Sequence, residues 1–168
     1  KSSKHIVVHM GSSSKLKEWE PKKWVQLIQR IEESDSEVIL TGKGEREQAI
    51  CDEVASQTNA TNLCNRLDWT HFVSTIQEAR LLISVDSVSV HIAAGSKTPT
   101  LVIFSGINPP QLWLPPYPLC KSIMSPVSCS PCYKKQGCSS MSCIRGVGVA
   151  GVYQCAKNIM CRDEVLAG

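Results

Sequence analysis

At 168 residues, with 42% hydrophobic and 20% charged positions, the chain has the makeup of one folded domain with a sizeable core, not of a disordered segment. A formal net charge of +3, scattered along the sequence, excludes the concentrated basic surface that nucleic acid or an anionic membrane requires. No apolar run reaches the length needed to span a bilayer, and no signal-peptide pattern precedes the first apolar segment.

A first strand is expected near residues 5–10, followed by the Ser-rich loop Gly11–Lys17. Pro21 suits the first turn of a helix, and Trp24, Leu27, Ile28 and Ile31 then recur at helical spacing. Glu37–Thr41 reads as a second strand closed by Gly42-Lys43-Gly44, with a helix carrying Glu45, Glu47, Ile50 and Val54 after it. A weak strand near Thr61–Cys64 precedes Asp68, placed to cap a helix presenting Trp69, Phe72, Val73 and Ile76. Leu81–Val85 and residues 99–104 are short apolar runs of the kind that form strands buried on both faces. Beyond Phe104 the alternation breaks into a Pro-rich loop, a last strand over 120–124, an aperiodic stretch over 126–150 and a short final helix over 162–166. Regular strand–helix alternation predicts an α/β fold: a Rossmann-like, doubly wound parallel sheet over 1–125, with a Cys-rich loop and C-terminal helix over 126–168 packing on the same domain. The chain starts without Met and enters a strand almost at once, which suggests an excised or processed domain lacking an N-terminal partner.

In such sheets ligands bind at the carboxyl ends of strands, where helix N-termini offer free N–H groups to anions. Predicted edge loops carry ligand-capable residues. Ser12, Ser13 and Lys17 combine hydroxyls with an ammonium suited to phosphate, although a solvated polar loop has the same composition. Asp86 and Ser87 sit where the fourth strand gives way to a helix, with His91 one turn on; a plain helix cap would use the same pair. Neither a Gly-x-Gly-x-x-Gly fingerprint nor a Gly-Lys-Ser/Thr phosphate loop occurs.

Of nine cysteines, five fall between Cys129 and Cys155. Cys129-x-x-Cys132 has knuckle spacing, and Cys143 is the nearer candidate for a fourth ligand after Cys138. Four thiolates would suit a structural zinc or an iron–sulfur cluster, whereas reduced thiols or disulfides would fit the same spacing. Such a site is expected in the tail, away from the strand ends. Cys51, Cys64 and Cys120 read as small core residues.

Taken in order, several motifs resemble the C-terminal domain of the heptosyltransferases, glycosyltransferase family 9. They are Gly11–Ser14 with Lys17-Glu18-Trp19 and Trp24; Leu40–Glu47; Asp86-Ser87 with His91 and Ala93-Ala94; Ser125–Cys132; and Cys155–Ile159 with Glu164-Val165. The resemblance implies the C-terminal half of a GT-B glycosyltransferase that binds an ADP-heptose-like donor in lipopolysaccharide core biosynthesis. It implies that Ser12, Ser13 and Lys17 hold the diphosphate, with Lys17 offsetting charge on the departing ADP. Glu47, or neighbouring Glu45, would meet the ribose, and Leu67 the adenine. Asp86 would accept from sugar hydroxyls, Ser87 would face the phosphates and His91 would support that turn. The family match for the metal cysteines is Cys129, Cys132, Cys138 and Cys155. No Asp-x-Asp motif occurs, so no cofactor is expected for catalysis and Lys17 is the expected cation. The base belongs to an N-terminal domain that would also meet a lipid-linked acceptor, so this chain alone is expected to bind donor without transferring sugar. A cytoplasmic place, peripheral at the inner face of the inner membrane, follows from the same resemblance.

Val88 stands where the family usually has Gly, and a β-branched residue there resists positive φ and holds backbone away from a ligand. Ser105–Pro109 likewise replaces Gly-Pro-Thr-Asp-Pro. These departures point to the alternative of a non-catalytic nucleotide-sugar-binding module. A metal-dependent interaction module is a third reading, carried by the cysteines.

Overall fold

The computed structural model describes residues 5–166, with side chains through residue 161. Six strands form one parallel sheet in the order β3-β2-β1-β4-β5-β6: β1 His5–His9, β2 Glu37–Thr41, β3 Thr61–Asn62, β4 Leu81–Val85, β5 Thr100–Ile103 and β6 Cys120–Ile123. The chain runs outward from β1 to β3, then returns to lay β4 against the other side of β1. The crevice between β1 and β4, where strand order reverses, is the usual ligand position of such a sheet.

Side chains of successive strand residues point to opposite faces. Ile6 and Val8 enter the main core with Trp24, Leu27, Ile28 and Ile31 of α1 (Pro21–Glu32). Val7 points the other way, onto Ile76 of α3 (Trp69–Gln77) and Ala93 of α4 (Val88–Ser96). Helices therefore cover both faces, which is why β4 is buried along its whole length. Asp68 caps α3 as its position predicts, its carboxylate accepting from His71 N–H at 2.8 Å. Gly44, at φ +90°, gives the turn into α2 (Glu45–Ala55), a backbone setting that side chains resist.

The C-terminal segment departs from expectation. In place of a short helix over 162–166, α7 runs Val149–Leu166, after a short α6 over Ser142–Arg145. Val152, Ala156 and Met160 of α7 are buried in the main core beside α1. Their spacing is helical, but Gly148 and Gly151 and the interspersed cysteines obscure the pattern in sequence. A short α5, Pro110–Trp113, interrupts the Pro-rich loop.

Candidate functional site

His9 closes β1 at the switch-point crevice, in register with Thr41 of β2 and Ser84 of β4. Being odd-numbered like Val7, it faces the α3–α4 layer. Its ring lies 5.6 Å from that of Phe72, and its Nδ1 is 3.0 Å from Thr41 Oγ1. Burial lowers its pKa to about 4, so the imidazole is neutral at ordinary pH. Above it opens a cavity of about 350 Å³, walled by Leu63, Leu67, Trp69 and Phe72 and reached by Glu47 and Val88. Trp69, 61% exposed, stands at its mouth.

Glu47 and Glu45 are separated by the fold. Glu45 is exposed, whereas Glu47 accepts from Lys43 N–H at 2.8 Å and lies against Gly11 and Gly42. A Cβ on Gly11 would come within 2.0 Å of Glu47 Cδ, so this glycine leaves the carboxylate its place between the β1 and β2 edge loops. Leu67 lines the same cavity, so the resemblance's ribose and adenine contacts fall side by side.

The loop after β1 ends in a 3₁₀ turn, Lys15–Lys17, capped by Ser14. Ser12 is buried and Ser13 is exposed. Glu18 and Arg46 form a 2.9 Å ion pair, and Arg46 also donates to the Ser12 carbonyl, pinning the loop to α2. Burial raises the pKa of Glu18, and Arg46 partly opposes that shift. Lys17 Nζ lies 2.6 Å from Asp86 Oδ2, with side-chain exposures of 18% and 8%, and 5.6 Å from the ring centre of Trp113. The structure thus joins two of the predicted edge loops through one short ion pair.

Ser87 occupies the N-cap position of α4, yet its hydroxyl bonds Ser89 Oγ at 2.7 Å and makes no capping bond. Ser89 in turn meets Ser84 Oγ at 2.8 Å. These bonds leave the first N–H groups of α4 without a side-chain cap, the arrangement that receives an anion. Val88 opens α4 with no positive φ, so the expected backbone conflict does not arise; its effect is steric, as a half-exposed side chain lining the cavity. His91 is exposed and has no hydrogen-bond partner among the described residues.

Cys129, Cys132, Cys138 and Cys143 line a second cavity of about 400 Å³; Cys155 does not, packing instead from α7 against the core. Among the described residues no three His, Cys, Asp or Glu side chains gather closely enough to hold a metal ion. Hydrogen bonds from Ser140 and Met141 lower the Cys138 pKa. This segment is not remote from the strand ends: Cys132 and Tyr133 N–H groups donate to the Gly106 and Ile107 carbonyls in the loop after β5. Gly137 also packs against Leu16, beside Lys17. Pairing of loop backbone, invisible to side-chain periodicity, brings the tail there.

Residues 1–142 match Glycosyltransferase family 9 (heptosyltransferase). The chain belongs to this family. Within family 9 it is 29% identical over 115 residues to lipopolysaccharide heptosyltransferase 3 of Escherichia coli K12, a match covering 66% of this chain and 33% of that protein. The fold superposes on E. coli heptosyltransferase WaaC with ADP at a TM-score of 0.79 and 15% identity, covering 94% of this chain and 45% of that one. It also matches the dodecameric, iron-containing heptosyltransferase TibC of enterotoxigenic E. coli, solved with ADP-D-β-D-heptose. There the TM-score is 0.72 at 13% identity, over 92% of this chain and 44% of that one. The chain thus spans about a third of the length of its curated relatives and under half of these solved structures. The sequence reading missed His9, Thr41, Trp69 and Phe72 as site residues. The switch-point rule applied to the end of β1 would have found His9, while the two aromatics read simply as a helix face.

Proposed function

We propose that this chain is the donor-binding part of an inverting glycosyltransferase acting in lipopolysaccharide core biosynthesis, with an ADP-heptose-like nucleotide sugar as its ligand. The observation that carries the reading is the Lys17–Asp86 pair at the switch point, beside an apolar cavity and an uncapped helix N-terminus. In the transfer, an acceptor hydroxyl loses its proton to a base and its oxygen attacks the anomeric carbon. The carbon–oxygen bond to the diphosphate breaks, and ADP leaves with the electron pair. Lys17 and the α4 N–H groups offset the charge that develops on the leaving diphosphate, Ser12 and Ser13 adding hydroxyls to the same cradle. Asp86 accepts from donor sugar hydroxyls, Ser87 faces the phosphates, Glu47 meets the ribose and Leu67 the base. The base and the lipid-linked acceptor site lie outside this chain, which binds donor and transfers nothing alone. Solved relatives hold ADP and ADP-D-β-D-heptose, which supports this ligand class.

The family resemblance points to a cytoplasmic place, peripheral at the inner face of the inner membrane; among the described residues no helix is long and apolar enough to cross a membrane. The thiols of Cys129, Cys132, Cys138 and Cys143, as placed, do not form a metal-holding set, and Cys155 lies outside their cavity. A structural zinc or iron–sulfur cluster would require them to draw together, and no catalytic step is assigned to one.

The test is binding of the nucleotide sugar to the purified chain and to Lys17→Ala and Asp86→Ala. Both variants are expected to bind at least tenfold more weakly. Unchanged affinity in both would overturn the assigned roles. Val88, lining the cavity where the family usually has Gly, favours a second reading, a non-catalytic nucleotide-sugar-binding module. Sugar transfer after joining an acceptor domain would reject that module; tight donor binding without transfer would favour it.

A further inference from the structure

His9 is a polar group with half of its hydrogen-bonding capacity unspent. Its side chain is 6% exposed, and what remains accessible borders the 350 Å³ cavity. Nδ1 is committed to Thr41 Oγ1 at 3.0 Å, and the ring is steadied by Phe72. Nε2 has no partner among the described residues. His9 is not among the fully enclosed unpartnered polar groups, so Nε2 opens to the cavity, where the polar edge of a ligand can take the place of water.

The surroundings specify which part of a ligand that is. The cation and the uncapped helix N-terminus lie at the Lys17–Asp86 side, where phosphates belong. Glu47 lies against Gly11 and Gly42, where it reaches the same cavity between the β1 and β2 edge loops. What is left to His9 is the portion walled by Leu67, Trp69 and Phe72, apolar and aromatic side chains suited to a planar ring. A neutral imidazole offers such a ring one donor or one acceptor, chosen by the orientation of the Thr41 hydroxyl.

We infer that His9, oriented by Thr41, is a specificity-determining residue that hydrogen-bonds through Nε2 to the edge of the nucleotide's base, an adenine lying against Phe72 and Trp69. The inference rests on the donor-binding reading above and adds to it the element that distinguishes one nucleotide from another.

The experiment is calorimetric titration of the purified chain, His9→Leu, His9→Gln and Lys17→Ala with ADP, UDP, GDP and inorganic diphosphate. His9→Leu is expected to weaken ADP about five- to tenfold, the loss of one hydrogen bond. It should narrow the preference for ADP over UDP and GDP and leave diphosphate binding unchanged. His9→Gln, which returns a polar atom to the cavity, should recover part of the ADP affinity, whereas Lys17→Ala should weaken ADP and diphosphate together. Retained diphosphate binding also shows that a His9 variant is folded. If His9→Leu does not fold, Thr41→Val takes its place, with the same expected split between ADP and diphosphate. An unchanged ADP affinity and nucleotide preference, or equal losses for ADP and diphosphate, would overturn the assignment while leaving the donor reading in place. Binding of neither ligand by the unaltered chain would overturn both.

Discussion

The Lys17–Asp86 pair permits a quantitative test. At 2.6 Å, with an effective dielectric constant of about 20, the attraction is about 6 kcal/mol, most of it offset by taking both charges out of water. Net, a charged hydrogen bond of this kind contributes about 1.5–3 kcal/mol. Lys17→Ala removes the ammonium and leaves a carboxylate only 8% exposed without its partner. We expect the variant to lose about 2–3 kcal/mol in urea unfolding, a fall in Tm of roughly 5–10 °C for a chain of this size. Asp86→Ala is expected to cost a similar amount. The double variant should cost less than the sum, with a coupling energy of about 1.5–3 kcal/mol. In binding, Asp86→Ala should weaken a nucleotide sugar more than bare ADP, because its proposed partners are sugar hydroxyls. Additive losses, with coupling under about 0.5 kcal/mol, would refute the pair as a unit and with it the joining of the two loops.

Other outcomes follow from single side chains. Because His9 takes up a proton only near pH 4 when folded but near 6.5 when unfolded, stability is complete above about pH 6.5 and falls as pH drops towards 4. The shift amounts to about 3 kcal/mol, and His9→Leu should flatten that part of the urea-stability profile between pH 7 and 4.5. Equal slopes in both proteins would contradict the burial argument. Gly11→Ala should displace the Glu47 carboxylate, so its ADP affinity should match that of Glu47→Ala while its Tm stays near that of the parent chain. Val88→Gly should tighten nucleotide-sugar binding in calorimetry by opening the cavity, at about 0.5–1 kcal/mol of helix stability. Trp24→Ala, deep in the main core, should cost about 3–5 kcal/mol in chemical unfolding.

The strands were legible because a two-faced parallel sheet writes itself as short apolar runs, and Leu81–Val85 is buried at every position as its composition predicts. The α1 face was legible through a different signal, the helical spacing of Trp24, Leu27, Ile28 and Ile31. The long α7 was not, since Gly151, Cys155 and Cys161 dilute a helical spacing that tertiary contact with α1 makes decisive. At the site, Glu47 is set apart from the exposed Glu45 only by its packing against Gly11 and Gly42. His9 and Thr41 lie on separate strands, so their partnership depends on β1–β2 register, which no local pattern in the sequence contains. Likewise Cys143 and not Cys155 reaches the cysteine cavity because α7 begins before Cys155 and carries it onto the core.

The most direct test of the donor-site claim is a calorimetric titration of the purified chain with ADP, UDP and GDP and their sugar conjugates. Saturable binding that prefers ADP and is strengthened by an attached heptose is the predicted result. Binding of none of them, or a preference for UDP or GDP, would contradict it.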